Sequence, residues 1–201
     1  MNDQRNCRIE FPRVPPAYCA KLRAETRRGC KVKRNFVRDY KDVINKAAAQ
    51  YDIPPVLLAG VAFNEFGGDP PSIDDVAYAV RIFSGGSEKT SFGDLSMQLR
   101  VAMETLGYDK SQRIVSGNAI IESLRDPTQA FFIVAKHLSS LKEVDFKGKS
   151  ASELSDDEIK VVGTRYNRGA GLSLEKIKEN LSYGQAIIKR KSELETLIKP
   201  D

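Results

Sequence analysis

From about residue 36 onward, apolar residues recur at three- and four-residue spacing almost without a break. Val43, Ile44, Ala47, Ala48 and Tyr51 make one amphipathic stripe. Leu57 and Val61, with Leu58 and Ala62 on the adjoining rows, make the next, in a helix that Pro54-Pro55 open and Gly67-Gly68 stop. Two such helices in succession predict a tight antiparallel pair. Ser72 with Asp75 predicts a helix start, carried through Val76, Ala79, Val80 and Phe83 and ended by Ser84-Gly85-Gly86-Ser87. Residues 84–94 read as a loop with room for a short irregular strand. Helices are expected over about 95–106, 112–124 and 127–141, the last opened by Asp126-Pro127. Ser155 with Glu158 predicts a capping box for a helix reaching Tyr166, and a final helix is expected over about 173–198. With no internal repeat, low-complexity tract or strand-rich region, the fold class is all-α: one helical domain over 36–201 behind an irregular, cysteine-containing segment over 1–35.

A chain of 201 residues with 41% hydrophobic content is long enough for one well-buried core. No stretch approaches the ~18 consecutive apolar residues of a membrane span, and the first thirty residues are too charged and proline-broken for a secretory signal, so a soluble protein without a leader is expected. The net charge of +5 is lopsided, since residues 1–41 hold twelve Lys/Arg against four Asp/Glu and the remainder is net acidic. Arg27-Arg28, Lys31, Lys33, Arg34, Arg38 and Lys41 read either as a solvated charged face or as a site for a polyanion such as nucleic acid, anionic lipid or acidic cell-wall polymer. Cys7, Cys19 and Cys30 share that segment without a nearby histidine, which does not fit a zinc site. In an oxidising compartment two of them would staple the arm to the body; in a reducing one all three would stay free.

Glu65 is the first candidate for chemistry. It ends the stripe of Leu57 and Val61 on the inward face and at the negative end of the helix dipole, and both effects disfavour a charged carboxylate, as a general acid requires. An apolar wall from Val61, Phe63 or Phe66 would act the same way. The polar loop Thr90-Ser91-Phe92-Gly93-Asp94-Leu95-Ser96-Met97-Gln98-Leu99 and the helix end Arg165-Tyr166-Asn167-Arg168-Gly169-Ala170-Gly171 are the other two segments of interest, while Leu124-Arg125-Asp126-Pro127 reads as scaffold. His137, the only histidine, has no paired nucleophile or second histidine and reads as satisfied structure, which disfavours serine, cysteine and metal hydrolases. Ser84-Gly85-Gly86-Ser87 lacks the lysine and preceding strand of a phosphate-binding loop.

Taken in order, these segments resemble the lysozyme-like superfamily, in particular goose-type lysozymes and soluble lytic transglycosylases. Residues 53–70 match a family pattern close to "vPp.LLaavaaqEsggdp". Ser91, Gly93, Met97 and Gln98 match its Ser-x-Gly…Met-Gln segment, and Tyr166, Asn167, Gly169 and Gly171 its Tyr-Asn-x-Gly-x-Gly turn. Glu179-Asn180-Leu181-Ser182-Tyr183-Gly184-Gln185 is similar to the start of its terminal helix. The likeness spans roughly residues 40–190. It implies a muramidase that cleaves the β-1,4 backbone of peptidoglycan, with Glu65 as general acid and Ser91, Gly93, Met97, Gln98, Tyr166 and Asn167 lining the cleft. Tyr166 is expected to hydrogen-bond the Glu65 carboxyl or to hold substituents of the sugar. Asp94 is the best-placed second carboxylate, ahead of Asp69 and Asp74; the family position corresponding to 94 is often not acidic, and the aspartate that follows Met-Gln in goose-type enzymes falls near Arg100 here. Lytic transglycosylation, in which the substrate's own hydroxyl closes an anhydro ring, stays open beside hydrolysis, as does a fold of this kind that only binds glycan or protein. No metal or cofactor is expected. The implied partners are peptidoglycan strands and, for an antibacterial effector delivered to the periplasm or cell wall by a secretion machine, a cognate inhibitor protein; nucleic acid is not among them.

Overall fold

The computed structural model of the protein describes residues 29–67, 91–108 and 113–201. Within them the chain forms helix α1 over 29–39, α2 Lys41–Gln50, α3 Pro55–Glu65, a hairpin of β1 Ser91–Phe92 and β2 Met97–Gln98, α4 Leu99–Leu106, α5 Arg113–Arg125, α6 Pro127–Asp145, a 3-10 turn Ala151–Glu153, α7 Asp156–Arg168, α8 Leu174–Lys178, α9 Ser182–Lys189 and α10 Lys191–Leu197. The all-α expectation therefore holds, with the hairpin as the only sheet among the described residues. No helix among them is long and apolar enough to cross a membrane.

Helix α3 is apolar all round, and every residue from Val56 to Phe63 is buried, as expected of a helix at the centre of a bundle. Its neighbours are α2, α6, α7, α9 and α10. Helix α6 forms the second spine: Asp126 caps it by accepting from the Thr128 and Gln129 amides at 2.8 and 3.4 Å, with Pro127 at its first position. The capping box at the start of α7 is present, Ser155 and Glu158 each satisfying the other's backbone amide.

Three glycines inside helices let α3, α7 and α9 meet at close range. A methyl group on Gly60 would lie 2.4 Å from Ile187 Cγ2, one on Gly163 2.9 Å from Ile187 Cδ1, and one on Gly184 2.0 Å from the Lys160 carbonyl oxygen. Ile187 of α9 thus fills a notch made by Gly60 of α3 and Gly163 of α7, while Gly184 rests directly on the α7 backbone. Its amide donates to Thr164 Oγ1 at 3.2 Å.

Two buried cations tie the C-terminal end of α6 to its surroundings. Arg165, 1% exposed, grips Asp145 through two guanidinium nitrogens and donates to the Ala170 and Leu172 carbonyls at 3.1 and 2.9 Å, so it fixes the Gly169–Leu172 turn. Lys142, 2% exposed, donates to Asp52 O, Asp52 Oδ2 and Lys149 O at 2.9, 2.9 and 2.7 Å, joining α6 to the α2–α3 turn, where Asp52 has φ +48°. Each charge is fully hydrogen-bonded, as a buried charge must be.

Several expected boundaries need correction. The helix expected from residue 95 begins at Leu99, because Leu95 lies in the hairpin turn and Met97–Gln98 form a strand. The helix expected to end near 141 continues to Asp145. The single helix expected over 173–198 is three, interrupted at 179–181 and at Arg190. The segment over 1–35 is not irregular throughout: residues 29–39 are helical, Phe36 and Val37 join the core, and Cys30 is disulfide-bonded. The helix expected over 72–83, Asp69, Asp74, Thr90, Cys7 and Cys19 lie outside the described residues.

Replacing Gly184 by Ala places a methyl group against backbone rather than a yielding side chain. The expected loss is about 3 kcal/mol of unfolding free energy, read as a lower urea midpoint; an unchanged midpoint would show that α9 does not rest on α7 as described.

Candidate functional site

Glu65 closes α3 and is half-buried. Its Oε1 accepts a hydrogen bond from the Tyr183 hydroxyl of α9 at 2.7 Å, across 118 residues of sequence. The glycine contacts of α9 position that hydroxyl, since Tyr183 immediately precedes Gly184. Burial first, and then the Glu65 charge and the hydrogen bond to it, push the Tyr183 phenol far above its ordinary range, while a hydrogen bond with the Asn64 side chain works weakly the other way. The phenol is therefore held as a donor.

The Tyr183 ring lies 6.5 Å from that of Tyr166, centroid to centroid. The Tyr166 hydroxyl donates to the Leu95 carbonyl in the hairpin turn at 2.7 Å, and burial followed by the Glu65 charge raises its pKa well beyond the usual value. The expected hydrogen bond from Tyr166 to Glu65 is thus corrected: Tyr183 makes it, and Tyr166 instead anchors the hairpin. A chain of contacts runs Glu65, Tyr183, Tyr166, Leu95, joining α3, α9, α7 and the hairpin.

Ser91 and Gln98 face each other across the two strands, both half-exposed, while Phe92 and Met97 pair on the buried face. Met97 is accordingly core. Gly93 has φ +69°, and a methyl group there would lie 1.9 Å from the Leu124 carbonyl oxygen, so the hairpin turn lies against the end of α5 as only glycine permits. This gives Leu124 a part that its reading as plain scaffold did not include. Asp94 is half-buried in the same turn, beside Leu95, and burial raises its pKa from the usual carboxylate value. Asn167 is exposed at the end of α7.

The apolar wall expected around Glu65 is used differently. Val61 is buried in the core, Phe63 lies beneath the Arg190 guanidinium at 4.9 Å, and Phe66 stacks on Phe36 at 4.0 Å. The negative end of α3 is met by a cation: Lys33 Nζ donates to the Phe63 and Asn64 carbonyls at 3.1 and 3.0 Å. Among the described residues of the basic cluster, Arg34 is paired to Glu193, Arg38 is bonded to Asn35 Oδ1 and Lys41 is paired to Asp201. Among the described residues, no three His, Cys, Asp or Glu side chains gather as a metal site would require.

His137 packs edge-on to Tyr166 with ring centroids 6.0 Å apart and shares a hydrogen bond with Thr105 Oγ1 at 3.2 Å through Nδ1. It is satisfied structure behind the tyrosine pair.

Tyr183 and Lys33 are the residues not singled out from sequence. The signal for Tyr183 was its place beside a glycine in an otherwise apolar helical stripe, where a mid-helix glycine points to close packing. For Lys33 there was none, because a lysine that caps a remote helix looks like any other in a basic run.

Comparison with protein-family models, with curated proteins and with solved structures gives no significant match.

Burial lowers the His137 pKa from 6.5 to about 4. The unfolded chain then binds the proton more readily between those values, so stability is whole above pH 6.5 and is lost as pH falls toward 4, by about 3 kcal/mol at most. Urea titrations at pH 7 and pH 4.5 should show most of that loss in the wild type and a smaller one in His137→Gln; equal losses would remove His137 as the cause.

Proposed function

We propose that the protein is a peptidoglycan-cleaving glycosidase with a lysozyme-like helical domain and Glu65 as its general acid. The observation that carries this reading is the contact chain from Glu65 through Tyr183 and Tyr166 to Leu95. It gathers around one half-buried carboxylate the segments whose residue types suit glycan cleavage: a helix-terminal glutamate, a serine-glycine hairpin and a tyrosine-asparagine turn.

Breaking a glycosidic bond requires a proton on the leaving oxygen. The Tyr183 donor occupies Glu65 Oε1, which leaves Oε2 as the oxygen from which a proton would pass to the bridging oxygen. Ser91 and Gln98, paired on the exposed face of the hairpin, offer a hydroxyl and an amide to the hydroxyls and acetamido groups of a glycan. Exposed Asn167 offers a further amide. Asp94 has the part of water-activating base: burial moves its pKa upward, toward the range in which a carboxylate both takes and releases protons near neutral pH. Reducing ends on the products accompany this route, and anhydro ends would replace them if the substrate's own hydroxyl closed the ring.

Glu65→Gln should lose at least about 10³-fold in muropeptide release from purified sacculi with its helical content intact. Asp94→Asn should lose about 10²-fold with reducing ends persisting in what remains; mass spectrometry of the released muropeptides reads both. A wild-type protein that binds sacculi without releasing muropeptides would reduce the domain to a glycan-binding module, and anhydro products at an undiminished rate in Asp94→Asn would establish transglycosylation.

Tyr183→Phe should lower turnover about tenfold while costing about 1 kcal/mol of stability, the usual net worth of one hydrogen bond. A chemical-denaturation curve measured beside the assay separates the two effects, and unchanged turnover would detach Tyr183 from the acid.

A further inference from the structure

Helix α1 lies outside the stretch that resembles the lysozyme-like pattern, yet it completes the end of α3. The final carbonyls of a helix have no partner within it and form its negative pole, where a cation is favourable. Lys33 Nζ donates to two of them, those of Phe63 and Asn64, at 3.1 and 3.0 Å. These are the two residues immediately before Glu65. Immediately after it, Phe66 is stacked on Phe36, one helical turn beyond Lys33, with the rings 4.0 Å apart and within 15° of parallel. Contacts from one helix thus bracket Glu65 on both sides.

We infer that Lys33 is a positioning residue for Glu65: its ammonium group fixes the backbone from which the carboxylate projects. The inference rests on the reading of Glu65 as the general acid. Two charged groups act electrostatically on the Lys33 ammonium, Glu65 from α3 and Arg190 from the α9–α10 junction, and the Tyr183 hydroxyl donates to the carboxylate from α9. Burial disfavours the charged form of Lys33, the Glu65 carboxylate opposes that effect, and Arg190 adds to it. The Glu65 carboxylate thus favours the charged form of the ammonium group that caps its own helix. A lysine cap elsewhere on the surface would order a helix end without registering the state of the acid.

Lys33→Met should lower kcat on purified sacculi about tenfold with KM unchanged. Lys33→Arg should recover most of that loss. Arg34→Met, which removes the Glu193 ion pair from the same helix, should keep kcat within about twofold of wild type. A Lys33→Met enzyme with wild-type kcat overturns the inference, and so does an Arg34→Met enzyme that loses as much as Lys33→Met. A readout independent of turnover is the NMR titration of the Lys33 side chain: in Glu65→Gln it should shift to lower pH, and an unshifted titration overturns the coupling even if Lys33→Met fails to fold. If wild-type protein releases no muropeptides, the proposed function falls, while this titration still decides whether Lys33 and Glu65 act on each other.

Discussion

The packing of α9 into the notch between α3 and α7 is the constraint from which the rest of the arrangement follows. Gly60, Gly163 and Gly184 remove the side chains that would hold the three helices apart, and Ile187 occupies the space they leave. Interiors are packed to crystal-like density, so such a contact has little slack. Tyr183 inherits its position from it. The hydroxyl reaches Glu65 because the adjacent residue has no Cβ to lift α9 off the carbonyl of Lys160. The site is in this sense a by-product of backbone proximity: the polar contact is exact in place only because the apolar one beside it is.

Around that contact the molecule uses charge sparingly and indoors. Arg165 with Asp145 holds the turn after α7, and Lys142 holds the turn before α3. Lys33 holds the end of α3. Each is a cation with donors directed at backbone carbonyls, joined at Arg165 and Lys142 by bonds to an aspartate. Three connections that would otherwise be soft are thereby stiffened at the places where helices end, and two of them, at Lys33 and Arg165, lie next to residues of the proposed site.

Much of this was legible in the sequence, and the rest was hidden for identifiable reasons. Periodicity located α2, α3, α5, α6 and α7, and three of them also have a recognisable start: Pro54-Pro55 for α3, Asp126-Pro127 for α6 and the Ser155 and Glu158 box for α7. Periodicity could not separate α8, α9 and α10, since apolar spacing continues across breaks that depend on Asn180 and Arg190 geometry rather than on proline or glycine. It also extended α4 backward over Leu95 and Met97, whose burial comes from the hairpin. Ser91 and Gln98 were each visible as polar cleft candidates, but their pairing required the register. Tyr166 was chosen over Tyr183 because a motif draws attention to its own aromatic residue, whereas reach is settled by how closely two helices approach.

The distance in sequence between Glu65 and Tyr183 bears on the birth of the protein as well as on its fold. On a ribosome adding roughly 5–20 residues per second, α3 emerges about 6–24 s before α9, given the 118 residues that separate the two side chains. Until α9 has docked, Gly60 and Gly163 face an unfilled groove and the glutamate lacks its phenolic neighbour. A nascent polypeptide therefore carries Glu65 without its setting, and the contact chain to Tyr166 and Leu95 is completed in a single late step of synthesis.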